Sequence, residues 1–419
     1  MRRIDRSRFA RQHKHCARAR YLGYDFRGIG LRPKAESLPL ATGTAIHKPI
    51  TDALAILKET GELPNREQFR ILVAAAIKTY RAGVAARGFD DVAQADVGYV
   101  AGEQGALIEG LCWAGYRVLL PWIEQEFRVL AVEQEEEFLA APDLIMMSRP
   151  DAVLERKSDG EVGIVDLKTG SYAPDAQHGE EHILQIAFGT LGVEQRIQRP
   201  VNHYYIFSLI KGKRDYAGKA DREDGGVRKQ NSPLCYGWFR EADPPFDKET
   251  WKWEYTREKG FSKVPTWLSP RLQGQAGVAG MSVAELVVME LMDQETVEGM
   301  VAMSPPWQRP DHLIKGLVKQ VVAQEREWEY KVQAVEAGAD IDEMIPQSWD
   351  CRSFYGRACE FAAVCKKSEA GWEEPQGMGR FVARVGHHAP EAKLFDKGRA
   401  AALGFQMAAE DEEGGYAGE

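Results

Sequence analysis

Apolar side chains recur along this chain with two different periods, and the change of period separates predicted helices from predicted strands. Residues 65–86 and 101–127 carry apolar side chains at steps of three and four residues, which predicts helices. The same spacing over Ile4 to Tyr24 predicts a helix near the amino terminus. Short apolar runs bounded by turn residues occupy residues 149–170 and predict strands. This mixture indicates an α/β fold.

The remaining predicted elements follow the same two patterns. Predicted strands are Val129 to Leu139, Val201 to Ile210 and Leu234 to Arg240. One predicted helix ends at about Thr60, and another begins at His182. Two more run from Ser282 to Met303 and from Asp311 to Ala337. Pro33 to Thr42 is predicted to be a linker, and Trp251 to about Gly280 an irregular segment. Thr42 or Thr44 is then a candidate helix cap, which places His47 in the first helical turn.

The stretch from Arg149 to Gly170 holds the most specific local pattern. Two apolar runs flank Lys157-Ser158-Asp159-Gly160, and an Asp-Gly pair between such runs predicts a β-hairpin. Folding the strands back on each other brings Asp151 level with Asp166 to Lys168. Side chains two residues apart on a strand share a face, so Asp166 and Lys168 point the same way. Two carboxylates and one ammonium therefore share a small volume.

Two close carboxylates repel each other unless one stays protonated or a cation lies between them. A hard divalent cation with oxygen ligands removes this repulsion. A neighbouring lysine can orient or deprotonate a water, or neutralise charge that grows on a phosphate. The alternative is an ordinary hairpin whose aspartate and lysine form a surface ion pair, and the spacing alone leaves both interpretations open.

Composition adds an expected location and a charge asymmetry. Apolar residues make up 44% of the chain and charged residues 28%, as in soluble globular proteins. We find no apolar segment long enough to cross a bilayer and no secretory signal, so we expect a cytoplasmic protein without a membrane partner. The net charge is -9, yet residues 1–34 are strongly basic and Glu410 to Glu413 are acidic. A basic segment can guide DNA to a site, and a solvated helix face is the alternative.

The cysteines form a second specific pattern. Cys351, Cys359 and Cys365 lie close together, and these are three of the six cysteines in the chain. In a cytoplasmic protein, close cysteines indicate a metal site rather than disulfides. A fourth thiolate would complete a tetrahedral zinc site or a [4Fe–4S] cluster. Thiols that bind no metal are the alternative.

Several of these residues together resemble the signature of the PD-(D/E)XK nucleases. Pro150-Asp151, followed by Asp166-Leu167-Lys168, resembles the motif itself, in the branch related to RecB- and AddB-type nuclease domains and CRISPR adaptation nucleases. Gly43 to His47 resembles the first motif of RecB-like members, whose histidine reaches the metal site. The segment around Cys16 resembles the one that carries the first cysteine in iron–sulfur members.

The match is less complete in the following helix. Gln185 matches a glutamine of the family, but the aromatic residue expected four positions later is Gly189, and Phe188 lies one position short. The step from Cys351 to Cys359 is also wider than the Cys-x-x-Cys step of the helicase-associated relatives. That difference keeps zinc open beside the [4Fe–4S] cluster.

The resemblance implies a fold and a set of roles. The fold would be a restriction-endonuclease-like α/β core, with a mixed central sheet flanked by helices, helical insertions, and a cysteine staple between the two terminal segments. Lys168 would assist the attacking water, and Gln185 would position the DNA backbone. The implied Mg²⁺ or Mn²⁺ ligands are His47, Asp151, Asp166 and the Leu167 carbonyl. The implied cluster ligands are Cys16, Cys351, Cys359 and Cys365. The basic segment that resembles a loop near phosphates contains Lys211, Lys213 and Arg214.

The resulting hypothesis is a metal-dependent DNA nuclease, by analogy an exonuclease, similar to stand-alone phage or prophage members that act in DNA recombination, repair or processing. Its partners would be DNA ends or single strands and a separate helicase or recombination protein, since no Gly-x-x-x-x-Gly-Lys-Ser/Thr loop is present. A catalytically inactive DNA-binding scaffold and a metal-dependent hydrolase of another substrate are the alternatives. We expect one elaborated domain over residues 1–370 and a flexible tail over 371–419. Within the domain we expect a basic segment at 1–34, helices at 40–127, the catalytic core at 128–240, mostly helices at 241–345 and the cysteine segment at 346–370.

Overall fold

A computed structural model describes most of the chain. The described residues are 2–14, 16–28, 30–34, 37–87, 97–170, 183–211, 238–240, 263–265, 270–348, 359, 361–365 and 381–384. Within them the helices are α1 (Arg6–Lys14), α2 (Ala17–Arg20), α3 (Leu38–Thr60), α4 (Arg66–Arg87), α5 (Val97–Ala114), α6 (Leu120–Glu126), α7 (Ile183–Ile197), α8 (Pro270–Ala279), α9 (Val283–Leu286), α10 (Gln294–Glu298), α11 (Asp311–Glu336), α12 (Ile341–Met344) and α13 (Ala362–Cys365). None of the helices in these ranges is long and apolar enough to cross a membrane.

The described strands form a central mixed sheet and smaller sheets beside it. They are β1 (Arg2–Asp5), β2 (Leu31–Pro33), β3 (Phe127–Val132), β4 (Glu136–Ala141), β5 (Leu144–Ser148), β6 (Ala152–Arg156), β7 (Val162–Gly170), β8 (His203–Ile210), β9 (Trp238–Arg240), β10 (Lys263–Pro265), β11 (Val301–Met303), β12 (Trp307–Gln308) and β13 (Phe381–Ala383). The central sheet has the order β11-β8-β7-β6-β3, and β12 also pairs with β8. Strands β7 and β8 are parallel, and α7 lies between them in the chain. This arrangement confirms the predicted α/β core.

Both faces of the central sheet are covered, because its strands place apolar side chains on both sides. Val165 and Leu167 of β7 belong to a buried cluster with Ile46 of α3. The next side chain inward on the opposite face, Ile164, packs with Ile186 of α7 instead. Alternate side chains of a strand point to opposite faces, so β7 separates two cores. Asp166 and Lys168 share the parity of Ile164, and so they point to the α7 face.

Helix α7 is held between two sheets. Its Ile186 packs on the central sheet, while Phe188 packs with Ile4 and Met146 of the small sheet β1-β5-β4. The buried Glu136 of β4 accepts hydrogen bonds from Arg196 Nε at 2.9 Å. The first turn of α7, which carries Gln185, is therefore fixed with respect to β7.

The amino-terminal segment is tied to α11 by a buried ion cluster. Arg20 donates to both carboxylate oxygens of Glu325, each at 2.7 Å, and Arg2 Nη2 lies 3.3 Å from Glu325 Oε2. Arg20 is 0% exposed and Glu325 is 1% exposed. The Arg20 guanidinium also lies over the Trp328 ring, 4.4 Å from its centroid. Burial of this pair is compensated by bidentate hydrogen bonding, so losing one partner would leave an uncompensated charge.

Some predicted elements differ from the structure. The helix predicted from Ile4 begins only at Arg6, because residues 2–5 form a strand that pairs in parallel with β5. The strand predicted over residues 129–139 is two strands in two different sheets, separated at Glu133, which has φ 45°. The helix predicted over residues 282–303 is shorter: α9 continues as a π-helical segment, Val287–Leu291, and is followed by the separate helix α10 and strand β11. Within the segment predicted to be irregular, α8 is a regular helix.

Helix α3 begins earlier than predicted. Leu38 is its first residue, Ser37 precedes it, and Pro39 occupies the first turn. Proline suits that position because its missing N–H has no partner there in any helix. The predicted linker over residues 33–42 is therefore partly helical. His47 lies in the interior of the helix rather than in its first turn, and the predicted Thr42 or Thr44 cap is wrong.

Candidate active site

Asp151 and Asp166 lie opposite each other at the open end of the β6–β7 hairpin. Ala152 pairs with Val165, so the next residues outward on the two strands are these two aspartates. The predicted turn is confirmed, since Gly160 has φ 75° and its N–H donates to Arg156 O. Asp151 Oδ2 accepts a hydrogen bond from the Leu167 N–H at 2.6 Å. The hairpin thus carries both acids on backbone that is fixed by strand pairing.

Asp166 is buried and surrounded by donors. Lys168 Nζ lies 2.5 Å from Asp166 Oδ2, and the Tyr204 hydroxyl donates to the same oxygen at 2.9 Å. Burial pushes the pKa of Asp166 upward, but Lys168, the charge of Arg6 and the Tyr204 hydroxyl outweigh it, and the pKa of Asp166 lies below its usual range. Asp166 is therefore a carboxylate at neutral pH, with Lys168 directed at it as predicted.

Asp151 has the opposite behaviour. Burial first, and then the neighbouring charge of Asp166, raise the pKa of Asp151 to about 8, against the Leu167 N–H and Lys168, which act to lower it. At neutral pH the cation-free site holds one protonated and one ionised acid. A bound cation would reverse this balance, because it stabilises two carboxylates at once.

His47 lies on α3, near Asp166 and Lys168. The helix passes close to the end of β7, since a Cβ built on Gly43 would lie only 3.2 Å from Thr169 Oγ1. Burial lowers the pKa of His47 to about 4, although the charge of Asp166 acts in the opposite direction. Its Nε2 atom is buried and has no hydrogen-bond partner among the described residues. His47 is therefore a neutral imidazole whose pKa is also influenced by the charges of Asp166 and Lys168.

Gln185 reaches the site from the start of α7, and Arg6 meets it there. The Arg6 guanidinium donates from Nη1 to Gln185 Oε1. The positive charge of Arg6 also acts to lower the pKa of Asp166 and the pKa of the Tyr204 hydroxyl. The structure thus adds two residues, Arg6 and Tyr204, that sequence reasoning did not assign to the site. Both residues reach the site through pairing of strands that are far apart in the chain, and local sequence patterns do not predict such pairing.

Of the three predicted DNA-binding residues, Lys211 lies within the described residues. Lys211 directly follows β8, and its N–H donates to Gly170 O at 2.9 Å, two residues beyond Lys168. It is half-buried. Lys213 and Arg214 lie outside the described residues.

The arrangement fits a divalent cation in its donor types. No set of three or more histidine, cysteine, aspartate or glutamate side chains within the described ranges is arranged to hold a metal ion. The predicted ligands nevertheless supply two facing carboxylates, and the buried His47 Nε2 has no partner in the part of the chain that the structure describes. Carboxylate oxygens suit Mg²⁺, and both imidazole and carboxylate are ligands of Mn²⁺. The site offers a cation two carboxylates whose mutual repulsion it would relieve.

The predicted cysteine staple is described in part. Cys16, Cys359 and Cys365 share one apolar cluster with Phe361, and Cys351 lies outside the described residues. Cys16 precedes α2, and its Sγ accepts a hydrogen bond from Ala19 N at 3.2 Å. Burial lowers the pKa of Arg11, and the nearby Cys359 and Cys16 act to raise it. The three described cysteines do not themselves form a metal-binding group.

The fold and the paired acids define the class of this protein. A family model for the PD-(D/E)XK nuclease superfamily matches residues 10–366. The chain therefore belongs to the PD-(D/E)XK nuclease superfamily, whose members usually use Mg²⁺ or Mn²⁺. No curated protein matches the chain.

Asp151 makes the stability of the cation-free protein depend on pH. Its pKa of about 8 exceeds the ordinary 3.8 of an unfolded chain, so the folded state holds an extra proton between these values. The stabilisation from this group is full below the lower value and is lost as pH rises toward the higher one, by up to about 1.4 kcal/mol per pH unit. We expect Asp151→Asn to raise the free energy of unfolding at about pH 8, with chelator present, more than at about pH 5.

Urea denaturation at both pH values measures this difference. Asp159→Asn is the matched control, because Asp159 lies in the turn of the same hairpin and Arg156 lowers its pKa. That control should show no gain in stability at the higher pH. An Asp151→Asn protein that is no more stable than wild type there would contradict a protonated Asp151.

Proposed function

We propose that this chain hydrolyses phosphodiester bonds in DNA with Mg²⁺ or Mn²⁺ and that it acts as an exonuclease at DNA ends. The observation that carries the proposal is the pairing of Asp151 and Asp166 across the β6–β7 hairpin, with Lys168 on the face of Asp166. The superfamily match supports the reaction class. Preference for ends comes from the resemblance to the iron–sulfur branch.

The proposed ligands of the cation are Asp151, Asp166, His47 and the Leu167 carbonyl. When bound, the cation would polarise a phosphoryl oxygen and lower the pKa of a bound water. The Leu167 N–H fixes the Asp151 carboxyl group, and the Tyr204 hydroxyl fixes Asp166. These contacts orient the acids before any ligand arrives, and so they reduce the cost of organising the site.

Lys168 and Gln185 have the roles nearest to the substrate. Lys168 is about one-third exposed, so its ammonium can reach both Asp166 and an incoming phosphate. We propose that it orients the attacking water and neutralises charge that develops on the phosphoryl oxygens. Water attack forms the new bond to phosphorus as the bond to the leaving sugar oxygen breaks. Gln185, held by Arg6, would position the DNA backbone.

A comparison of linear and covalently closed circular DNA tests this function. With Mg²⁺ or Mn²⁺ we expect the wild-type protein to degrade linear single- or double-stranded DNA progressively and to leave closed circles intact. Chelator should stop the reaction, because both acids then lack their counter-charge. Cleavage of circles as fast as of linear DNA would contradict the exonuclease. Bound but uncut DNA in every form would instead indicate an inactive DNA-binding scaffold.

The same protein is proposed to carry a four-cysteine metal site made of Cys16, Cys351, Cys359 and Cys365. The placement of Cys16 and Cys365 in one apolar cluster supports it, since these residues are far apart in the chain. A [4Fe–4S] cluster is favoured, and zinc is the alternative. The iron, sulfide and zinc contents of anaerobically purified protein distinguish the two, and a protein without either metal would contradict both.

A further inference from the structure

The arginines of the amino-terminal segment differ in what they bind. Most of them form an ion pair with a carboxylate. These arginines and their partners are Arg2 with Glu325, Arg3 with Glu137, Arg8 with Asp25, Arg18 with Asp342 and Arg20 with Glu325. Arg6 forms no such pair with any described residue, and its side-chain hydrogen bond goes to the neutral amide oxygen of Gln185. Within the described ranges, its charge is therefore not cancelled by a direct carboxylate partner.

The backbone at Arg6 is firmly placed. Ile4 and Asp5 pair with Met146 and Met147 in the parallel β1–β5 ladder. Asp5 Oδ1 then accepts a hydrogen bond from the Arg8 N–H at 2.6 Å, which starts helix α1 at Arg6. The half-buried guanidinium thus projects from a fixed point toward the site.

The charge of Arg6 lies near Asp166. It acts to lower the pKa of both Asp166 and Tyr204. The guanidinium is also hydrogen-bonded to Gln185, which is proposed to contact the DNA backbone. A guanidinium has five N–H donors in a planar fork, and one of these groups is used by Gln185. The remaining donors match the geometry of a phosphate, which accepts paired hydrogen bonds from arginine. A fixed positive charge beside two carboxylates attracts the anionic backbone that must approach them.

We propose that Arg6 is a substrate-binding residue that holds a DNA phosphate at the active site and orients Gln185 toward the same backbone. The inference rests on the proposed function, because it takes the substrate to be DNA. It adds a residue that lies before residue 10, where the superfamily match begins. The amino-terminal strand and helix thereby become part of the substrate site.

Equilibrium binding tests this inference without turnover. All variants carry Lys168→Ala, which is expected to slow cleavage by about 10²- to 10⁴-fold and keeps both acids. Binding of a fluorescein-labelled DNA duplex is followed by anisotropy with Mg²⁺ present, on a timescale short compared with the residual cleavage. We expect Arg6→Gln to weaken binding about tenfold, since a hydrogen bond to a charged group is lost. The slope of log affinity against log salt should fall by about 0.9, the value of one phosphate contact on duplex DNA.

Arg3→Gln is the matched control. Arg3 lies in the same segment and pairs with Glu137 at the surface, so its loss should change neither affinity nor salt slope. Equal affinity and equal slope for Arg6→Gln and its parent would overturn the proposal. Arg6→Lys keeps the charge and should recover the slope with weaker affinity than arginine. Failure of lysine to recover the slope would mean that Arg6→Gln acts through folding, and this would also overturn the contact.

The orienting role has a separate readout in proteins that retain Lys168. If Arg6 acts partly through Gln185, then Arg6→Gln combined with Gln185→Ala should raise KM no more than the stronger single substitution, with kcat changed less than KM. Additive effects would overturn the coupling. A wild-type protein that binds DNA but never cleaves it would refute the proposed nuclease, whereas the anisotropy result for Arg6 would still stand.

Discussion

Replacing Asp166 with alanine should lower the rate of DNA hydrolysis about 10³-fold or more. The substitution removes a proposed ligand of the cation, and the cation's stabilisation of the transition state is worth several kcal/mol. It also leaves Lys168 and Tyr204 without their common acceptor, the Oδ2 atom of Asp166. The measurement is the initial rate of nucleotide release from linear DNA with Mg²⁺ or Mn²⁺ at saturating substrate.

Lys168→Ala in the same assay should cost about 10²- to 10⁴-fold, the range of a positioned acid–base group. Asp159→Ala is the control, because it removes an aspartate from the turn of the same hairpin, where the only described partners of its side chain are Arg156 and the Glu161 N–H. The control should retain the wild-type rate. Equal rates for all three variants and wild type would remove the active site from this hairpin.

Replacing Glu325 with glutamine should lower the free energy of unfolding by about 3–5 kcal/mol, the cost of leaving a buried charge without its partner. The buried Arg20 would lose its bidentate acceptor, and Arg2 would lose its charge partner. Urea denaturation followed by tryptophan fluorescence measures the loss. We also expect faster proteolysis within residues 1–25, because the cluster attaches this segment to α11.

The control for this substitution lies on the same helix. Glu327→Gln removes an exposed glutamate that pairs with Lys331 one turn away, and such pairs contribute at most about 0.5 kcal/mol. The two variants differ in burial rather than in chemistry. A Glu325→Gln protein as stable as Glu327→Gln would show that the buried cluster is not what holds the amino-terminal segment.

The hairpin could be predicted from local sequence because its information is local. Asp159-Gly160 marks the turn, and the two-residue period then determines that Asp151 meets Asp166 and that Lys168 shares its face. Nothing outside residues 150–170 is needed for this result. The helices at residues 66–87 and 311–336 could also be predicted from local sequence, because each has a long apolar stripe.

The rest of the site depends on distant pairings. Tyr204 contacts Asp166 because β8 runs parallel to β7 in one particular register, which the connection through α7 sets. Arg6 reaches Gln185 because residues 2–5 become a strand beside β5. Helical periodicity in residues 4–24 indicated the opposite, and pairing with a strand far along the chain overrode it. His47 lies deeper in the helix than predicted because Pro39, inside the predicted linker, is a helix-start signal.

The separation of these partners along the chain has a consequence during synthesis. Arg20 and Glu325 are 305 residues apart, and β1 must wait for β5 before it can form. A nascent protein therefore emerges from the ribosome with its first strand unpaired and its arginines hydrated. Contacts of such long range are slow to form. The Arg20–Glu325 cluster can be assembled only after α11 has been translated, so a product that ends before α11 would carry Arg6 and the acidic hairpin without the buried ion pair that attaches the amino-terminal segment.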